Sequence, residues 1–180
     1  RVTGGAGIDT ASSTDSAAGV TVILTSRAGS GGDAQGDYVE AENVNGSNFA
    51  DGLYGDAGAN VLNGWAGKDI LEGRGGADRF VFSALAHSAA GANADKITDF
   101  SHAQGDRIDL LAIDANTTAA GNQAFHFIGS ATYSFTAGEL HYSFSGSTTI
   151  IGGDVNGDGV SDFHIALNGN VSLVSGDLAL

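Results

Sequence analysis

A nine-residue pattern of polar and apolar positions organises the chain between residues 46 and 81. Four units follow one another without a gap: GSNFADGLY, GDAGANVLN, GWAGKDILE and GRGGADRFV. Each unit has glycine at position 1, aspartate or asparagine at position 6, and a large apolar residue at position 8. The position-8 residues are Leu53, Leu62, Leu71 and Phe80. Because one large apolar side chain per unit cannot form a core alone, the pattern predicts a solenoid of stacked short strands.

This repeat predicts a parallel β-roll with two units per coil, in which position-8 side chains stack between two parallel sheets. Units two apart then share an edge, so we expect Asp51 beside Asp69 and Asn60 beside Asp78. Glycine at positions 1 and 4 indicates turns with positive φ angles. A further copy of the motif at residues 4–11 is out of phase with the others. We therefore expect a roll over residues 1–82, irregular over 1–45 and regular over 46–81.

After residue 82 the pattern changes to apolar and polar residues in strict alternation, which is typical of half-buried strands in an antiparallel sheet or sandwich. Strands are predicted near residues 79–82, 96–100, 107–113, 125–127, 139–144, 148–151 and 162–167. Helix is scarce, with residues 84–90 and the stretch after Asp114 as weak candidates. We expect residues 83–180 to form a β cap on the open end of the roll, in an all-β fold.

Composition and charge narrow the classes of partner. The chain has no cysteine, proline or methionine, which excludes a disulfide framework, a thiolate metal site and collagen. The net charge is −14, and 17 of the 21 acidic residues are aspartate. Such a surface repels nucleic acid and anionic lipid headgroups, whereas aspartate suits hard divalent cations. No apolar run reaches the roughly 18 residues of a membrane helix.

The turns of the predicted roll offer a set of oxygen ligands. Each pair of stacked turns supplies two position-6 side chains and backbone carbonyls from positions 2 and 4, which suits Ca²⁺. The alternative is that each aspartate only caps its own turn. The candidate side-chain ligands are Asp9, Asp51, Asn60, Asp69 and Asp78. The candidate carbonyl ligands are those of Asp56, Gly58, Trp65, Gly67, Arg74 and Gly76.

The repeat resembles G-G-x-G-x-D-x-U-x, the calcium-binding unit of RTX proteins. Phe49 and Asn60 depart from that motif. Residues 80–83, 95–100, 105–110 and 177–180 resemble the C-terminal domain of serralysin-type metalloproteases, and the likeness extends to R-modules of alginate epimerases. The resemblance implies several Ca²⁺ ions and calcium-induced folding. It adds Asp95 and Asp106 as candidate ligands, for which solvated strand ends are the alternative.

The resemblance also implies a role. It indicates a secreted, non-catalytic module of a bacterial protein that a type I (ABC) secretion apparatus exports, with the signal near residues 177–180. The sequence contains no zinc-protease, nucleophile-elbow or phosphate-loop motif, and we expect it to be a fragment whose enzyme lies upstream. The alternative is a polysaccharide-binding ancillary domain, which needs a basic stripe. Its candidates are Lys68, Arg74, Arg79, Lys96 and Arg107.

Three other features have competing interpretations. Residues 154–162 reproduce the start of an EF-hand loop but have Ile165 at the twelfth position, so a hairpin turn is favoured over an ion site. His126, His141 and His164 share polar strand faces, and surface histidines are favoured over a transition-metal site. For Trp65, packing is favoured over a sugar-stacking platform. The apolar C-terminus is expected to dock as an edge strand on the cap.

Overall fold

The structure, a computed structural model, describes residues 2–180, and among them the regular elements are strands and three-residue 3-10 segments. The first strands are β1 (Val2–Thr3), β2 (Thr10–Ser12), β3 (Thr21–Ile23), β4 (Ala28–Ser30), β5 (Val39–Glu40), β6 (Asn43–Asn45), β7 (Gly52–Tyr54), β8 (Val61–Asn63), β9 (Ile70–Glu72) and β10 (Arg79–Val81). They are followed by β11 (Asp95–Ile97), β12 (Arg107–Asp109), β13 (His126–Phe127), β14 (Glu139–Ser145), β15 (Thr148–Asp154), β16 (Phe163–Asn168) and β17 (Leu178–Ala179). The prediction of an all-β fold is confirmed.

Two sheets form the roll. One has six strands in the order β17-β12-β10-β8-β6-β2, and all its pairs are parallel. The other has nine strands in the order β13-β14-β15-β16-β11-β9-β7-β3-β4. From β6 to β12 successive strands alternate between the two sheets, which gives two strands per coil. The predicted parallel β-roll is confirmed.

The position-8 residues form the core between these sheets. Leu53, Leu62, Leu71 and Phe80 have no exposed surface. Leu53 pairs with Leu71 in one sheet and Leu62 with Phe80 in the other, as the spacing of two units requires. Each three-residue strand therefore contributes one inward side chain per coil, and stacking of the coils excludes water from all of them.

The ladders of the roll continue past residue 82. Strand β11 pairs with β9, and β12 pairs with β10, so that Ile97 and Ile108 extend the buried stack. The antiparallel strands β14, β15 and β16 then join β11 in the same nine-stranded sheet. The cap is thus hydrogen-bonded to the roll along a sheet edge. The predicted division at residue 82 stays a prediction, since the sheets cross it.

Some predicted element bounds differ from those observed. Strand β12 ends at Asp109, whereas the pattern predicted a strand to residue 113, because Asp109 Oδ1 accepts the N–H of Leu111 and starts a turn. Residues 84–90 contain only the 3-10 segment Leu85–His87. No helix among the described residues is long and apolar enough to cross a membrane.

The C-terminus docks on the roll. Leu178 pairs with Ile108 in parallel register and is buried, and His102 Nδ1 lies 2.6 Å from Asp177 Oδ1. The expected edge strand is present as β17, but it pairs in parallel with β12 of the six-stranded sheet and not with the antiparallel strands β14, β15 and β16.

Candidate functional site

Buried carboxylates follow one edge of the roll. Asp51, Asp69 and Asp95, here named the first carboxylate row, are all buried. The N–H of Val20 donates to Asp51 Oδ1 at 2.7 Å. The N–H of Asp51 donates to Asp69 Oδ1 and that of Asp69 to Asp95 Oδ1, both at 2.8 Å. The structure thus brings Asp51 beside Asp69, as the register predicts, and places Asp95 next in line.

A second carboxylate row, Asn60, Asp78 and Asp106, follows the opposite edge. The N–H of Asn60 donates to Asp78 Oδ1 at 2.8 Å, and the N–H of Asp78 donates to Asp106 Oδ1 at 3.0 Å. Asp106 Oδ2 accepts the N–H of Ser101 at 2.9 Å. Asp106 therefore continues a buried row and is not a solvated strand end, and the same holds for Asp95.

The glycines at position 1 make room for these carboxylates. A Cβ on Gly64 would lie 2.7 Å from Asp69 Cγ, and one on Gly73 would lie at the same distance from Asp78 Cγ. The position-1 glycines do not have positive φ, so that part of the prediction is wrong. At position 4, Gly67 and Gly76 have the positive φ that the motif predicts, whereas Gly58 does not. The non-glycine residues of these units with positive φ are Trp65 and Arg74 at position 2, with φ of 64° and 70°. In the motif this position is glycine, which adopts such angles without strain.

The electrostatics of the rows are unfavourable without a counter-charge. Oδ2 of Asp69, of Asp78 and of Asp95 is buried and has no hydrogen-bond partner. Burial, with added repulsion from Asp95, raises the pKa of Asp69 to about 8. Burial raises the pKa of Asp95 to about 7 and that of Asp78 to about 6. A buried, unpaired carboxylate oxygen needs either a proton or a cation, so the rows suit cation binding.

Asp9 is connected to the second carboxylate row through Glu42, a residue that the nine-residue motif does not include. A Cβ on Gly4 would collide with the Asp9 carboxylate, as in the regular units. The N–H of Asp9 donates to Glu42 Oε2 at 2.8 Å, and Asn60 Nδ2 donates to the carbonyl of Glu42 at 2.7 Å. Glu42 precedes Asn60 by 18 residues, the length of one coil. That spacing was the signal that could have identified it.

The candidate carbonyl ligands lie in closely stacked turns. A Cβ on Gly67 would lie 2.6 Å from the carbonyl oxygen of Phe49, and one on Gly76 would lie 2.5 Å from that of Gly58. The carbonyl of Asp56 accepts the N–H of Gly75 at 2.9 Å, and its side chain accepts the N–H of Gly58. Position-4 carbonyls thus face the next coil, and Asp56 also caps its own turn.

At position 2, the side chains of Trp65 and Arg74 contact neighbouring residues of the protein. The Trp65 ring lies 5.3 Å from His87, and its Nε1 is buried without a partner. The Arg74 side chain donates to Glu72 Oε1 at 2.9 Å. The placement of Trp65 against His87 matches the packing interpretation of its role.

The EF-hand-like segment is the turn between β15 and β16. Asp154 accepts the N–H groups of Gly157 and Gly159, and Asp162 accepts that of Val155. These bonds make it a self-capped hairpin loop, which is the interpretation that the sequence favoured.

The three histidines do not converge. His141 and His164 flank Gly152 on adjacent strands, whereas His126 lies opposite Glu139. Within residues 2–180, no three histidine, cysteine, aspartate or glutamate side chains are grouped as a metal site. The carboxylate rows accordingly offer side chains in pairs, and backbone carbonyls must complete any coordination shell.

Comparison with known proteins identifies the family. Residues 16–179 match the family model described as Peptidase M10 serralysin C terminal. The chain belongs to the serralysin C-terminal family. This confirms the resemblance that the sequence indicated. No curated protein sequence matches the chain.

Solved structures add a second likeness for this serralysin-type domain. The solution structure of the AlgE6R2 subunit of the Azotobacter vinelandii mannuronan C5-epimerase is 26% identical, with a TM-score of 0.57 over 97% of this chain and 93% of that chain. The AlgE6R3 subunit is 25% identical, with a TM-score of 0.49 over 99% of this chain and 82% of that chain.

Proposed function

We propose that the chain is a non-catalytic, calcium-binding ancillary module of a secreted protein. The observation that carries this proposal is the buried Oδ2 atom of Asp69, of Asp78 and of Asp95, each without a hydrogen-bond partner. A Ca²⁺ ion prefers carboxylate and carbonyl oxygens and supplies the positive charge that lets neighbouring carboxylates stay ionised. Membership of the serralysin C-terminal family supports the same role.

The proposed ligands divide between the two edges. The first carboxylate row would hold ions on one edge and the second row on the other, with Asp9 and Glu42 at the upstream end of the second row. The remaining ligands are the carbonyls of Asp56, Gly58, Trp65, Gly67, Arg74 and Gly76. Several ions are therefore expected per chain.

Calcium removal tests the proposal directly. Because the carboxylates repel one another when unneutralised, excess chelator should lower the thermal midpoint and reduce the β-signal in circular dichroism. Restoring Ca²⁺ should reverse both changes, whereas equimolar Mg²⁺ should not, since Mg²⁺ demands octahedral geometry and retains its waters. A melting curve that chelator leaves unchanged would contradict the proposal.

Export through a type I apparatus is the finer part of the proposal. A chain with 17 aspartates is less stable while calcium is scarce, which favours passage through an exporter before it folds outside the cell. The docked C-terminal strand supports this order, since Asp177 and Leu178 of the proposed signal are buried once the roll has formed.

Binding of an acidic polysaccharide is the weaker candidate, because the basic side chains do not form one stripe. Arg79 and Arg107 are neighbours on the six-stranded sheet, whereas Lys96 lies on the nine-stranded sheet. Arg79 is moreover ion-paired with Asp109, and Arg74 is held by Glu72.

A further inference from the structure

An open cavity of about 630 Å³ lies on the outer face of the antiparallel strands, outside the carboxylate rows. Its lining includes Tyr133, Phe135, His141, Val160, Ser161 and His164. This volume is in the range of small-molecule sites, which combine apolar walls with a few placed polar groups.

An aromatic side chain is held at the cavity under backbone strain. Phe135 has φ of 64°, a backbone conformation that is unfavourable for a residue with a bulky side chain. The residue is also 74% exposed, so its large apolar ring lies mostly in solvent. The ring also packs on Gly159, where an added Cβ would lie 2.6 Å from Phe135 Cε1. Residue 159 must therefore be small for the ring to take this position.

The opposite wall is fixed by hydrogen bonds. The Tyr133 ring centroid lies 4.3 Å from that of His141, and the Tyr133 hydroxyl lies 2.8 Å from Ser161 Oγ. A Cβ on Gly152 would lie 3.0 Å from the Tyr133 hydroxyl. Gly152 is paired with His141 on one side and His164 on the other, and its lack of a side chain leaves space for the Tyr133 hydroxyl.

The two imidazoles have opposite hydrogen-bonding characters. The N–H of Gly91 donates to His164 Nδ1 at 2.9 Å, which leaves the proton of a neutral ring on Nε2. His141 Nδ1 lies 3.2 Å from the carbonyl of Ala131 and must donate to it, which leaves Nε2 as an acceptor. The cavity therefore has one ring donor on β16 and one ring acceptor on β14, the two strands that flank β15.

We propose that this cavity binds an uncharged sugar ring of a glycan. A sugar ring has an apolar C–H face to stack on Phe135 and hydroxyls that both donate and accept, which matches His164 and His141. Burial raises the pKa of the Tyr133 hydroxyl, and the carboxylates of Asp154, Asp162 and Glu139 are close enough to raise it further. Because their negative charge would repel a carboxylate on the ligand, the cavity disfavours acidic sugars. No residue of the carboxylate rows lines this cavity, so the proposed glycan binding does not rest on the proposed calcium sites.

The test uses calcium-saturated protein and isothermal titration calorimetry with neutral tetrasaccharides of glucose, mannose and galactose, and with an alginate tetrasaccharide. At least one neutral tetrasaccharide should bind, and the alginate probe should bind at least about tenfold more weakly. The variant Phe135→Gly removes the ring and relieves the positive φ, so its thermal midpoint should not fall. Its affinity should fall about tenfold.

The matched control is Phe144→Ala, which removes another exposed phenylalanine, 50% accessible, that does not line the cavity. It should leave affinity unchanged. Failure of all neutral probes to bind, or binding that survives Phe135→Gly, would overturn the proposal. Because the protein is calcium-saturated and its melting curve is recorded in parallel, either result is distinct from a failure of calcium-dependent folding.

Discussion

At the scale of single residues, Asp69, Asp78 and Asp95 each use their two carboxylate oxygens differently. Oδ1 of Asp69 accepts a backbone N–H from the preceding coil, while Oδ2 has no partner. The hydrogen bond stabilises the turn, and the unpartnered oxygen costs free energy unless a proton or cation meets it. Substitutions that keep one oxygen and remove the charge can therefore separate the two roles.

The variant Asp69→Asn should have opposite effects with and without calcium. It keeps an acceptor for the Asp51 N–H but removes a charge that is repelled by Asp95. The calcium-free midpoint should rise by a few degrees, since about 1 kcal/mol corresponds to about 2–4 °C in a domain of this size. The stabilisation by calcium should shrink. Exposed Asp15→Asn is the control and should change neither midpoint.

The stability of the calcium-free protein should fall as pH rises. Asp69, Asp78 and Asp95 keep their protons in the folded state to a pH of about 8, 6 and 7, whereas the unfolded chain loses them near 3.8. Between these values the folded state binds more protons, so a higher pH lowers the free energy of unfolding. Melting curves in chelator from about pH 5 to 9 test this; a midpoint that rises over that interval would contradict it.

The sequence predicted the pairing of Asp51 with Asp69 because a two-unit spacing of 18 residues determines which turns stack. It missed Glu42, which obeys the same spacing from Asn60 but lies outside the nine-residue motif. It also missed the left-handed Trp65 and Arg74, because the rest of each unit forces position 2 into an angle that these side chains disfavour. The role of each residue thus depends on its coil more than on its own type.

At the scale of the element, a strand of the roll is three residues long and has one inward side chain. The variant Leu62→Ala should cost about 2–5 kcal/mol, because the Leu62 side chain is fully buried between two neighbouring coils. The control Ile70→Ala removes a residue of the same size that is 44% exposed on β9, and should cost within about 1 kcal/mol. Urea unfolding in saturating calcium measures both.

The sequence predicted the type of element where apolar and polar residues alternate regularly. It did not predict which strands pair with one another. The alternation of residues 139–144 and 162–167 predicted strands that the structure contains as β14 and β16. Their hydrogen-bonding to β11 of the roll, and the parallel docking of β17 on β12, depend on contacts distant in sequence. Local periodicity carries no information about such pairing, which tertiary packing decides.

At the scale of the whole molecule, the export signal that we propose coincides with the docked C-terminus. Deleting residues 177–180 removes β17 and the contact of His102 with Asp177. In the complete protein expressed with a type I exporter, this deletion should lower the secreted yield more than it lowers the calcium affinity of purified material. Immunoblots of medium and calorimetry of the purified protein measure the two. Normal secretion with lost calcium binding would show that the tail is structural only.

Strand β4 has a consequence for how copies of this molecule behave together. A parallel roll presents at its end an unpaired row of N–H and C=O groups, which can template the coil of another copy into a fibre. In the nine-stranded sheet the last strand at this end is β4, which runs antiparallel to β3. A parallel coil from another copy would therefore meet a strand of the opposite direction. It is only three residues long and contains Gly29, whose Cβ position is filled by the carbonyl of Ala34. The chain thereby resists end-to-end polymerisation at high concentration, although every coil of its own interior depends on that same mode of stacking.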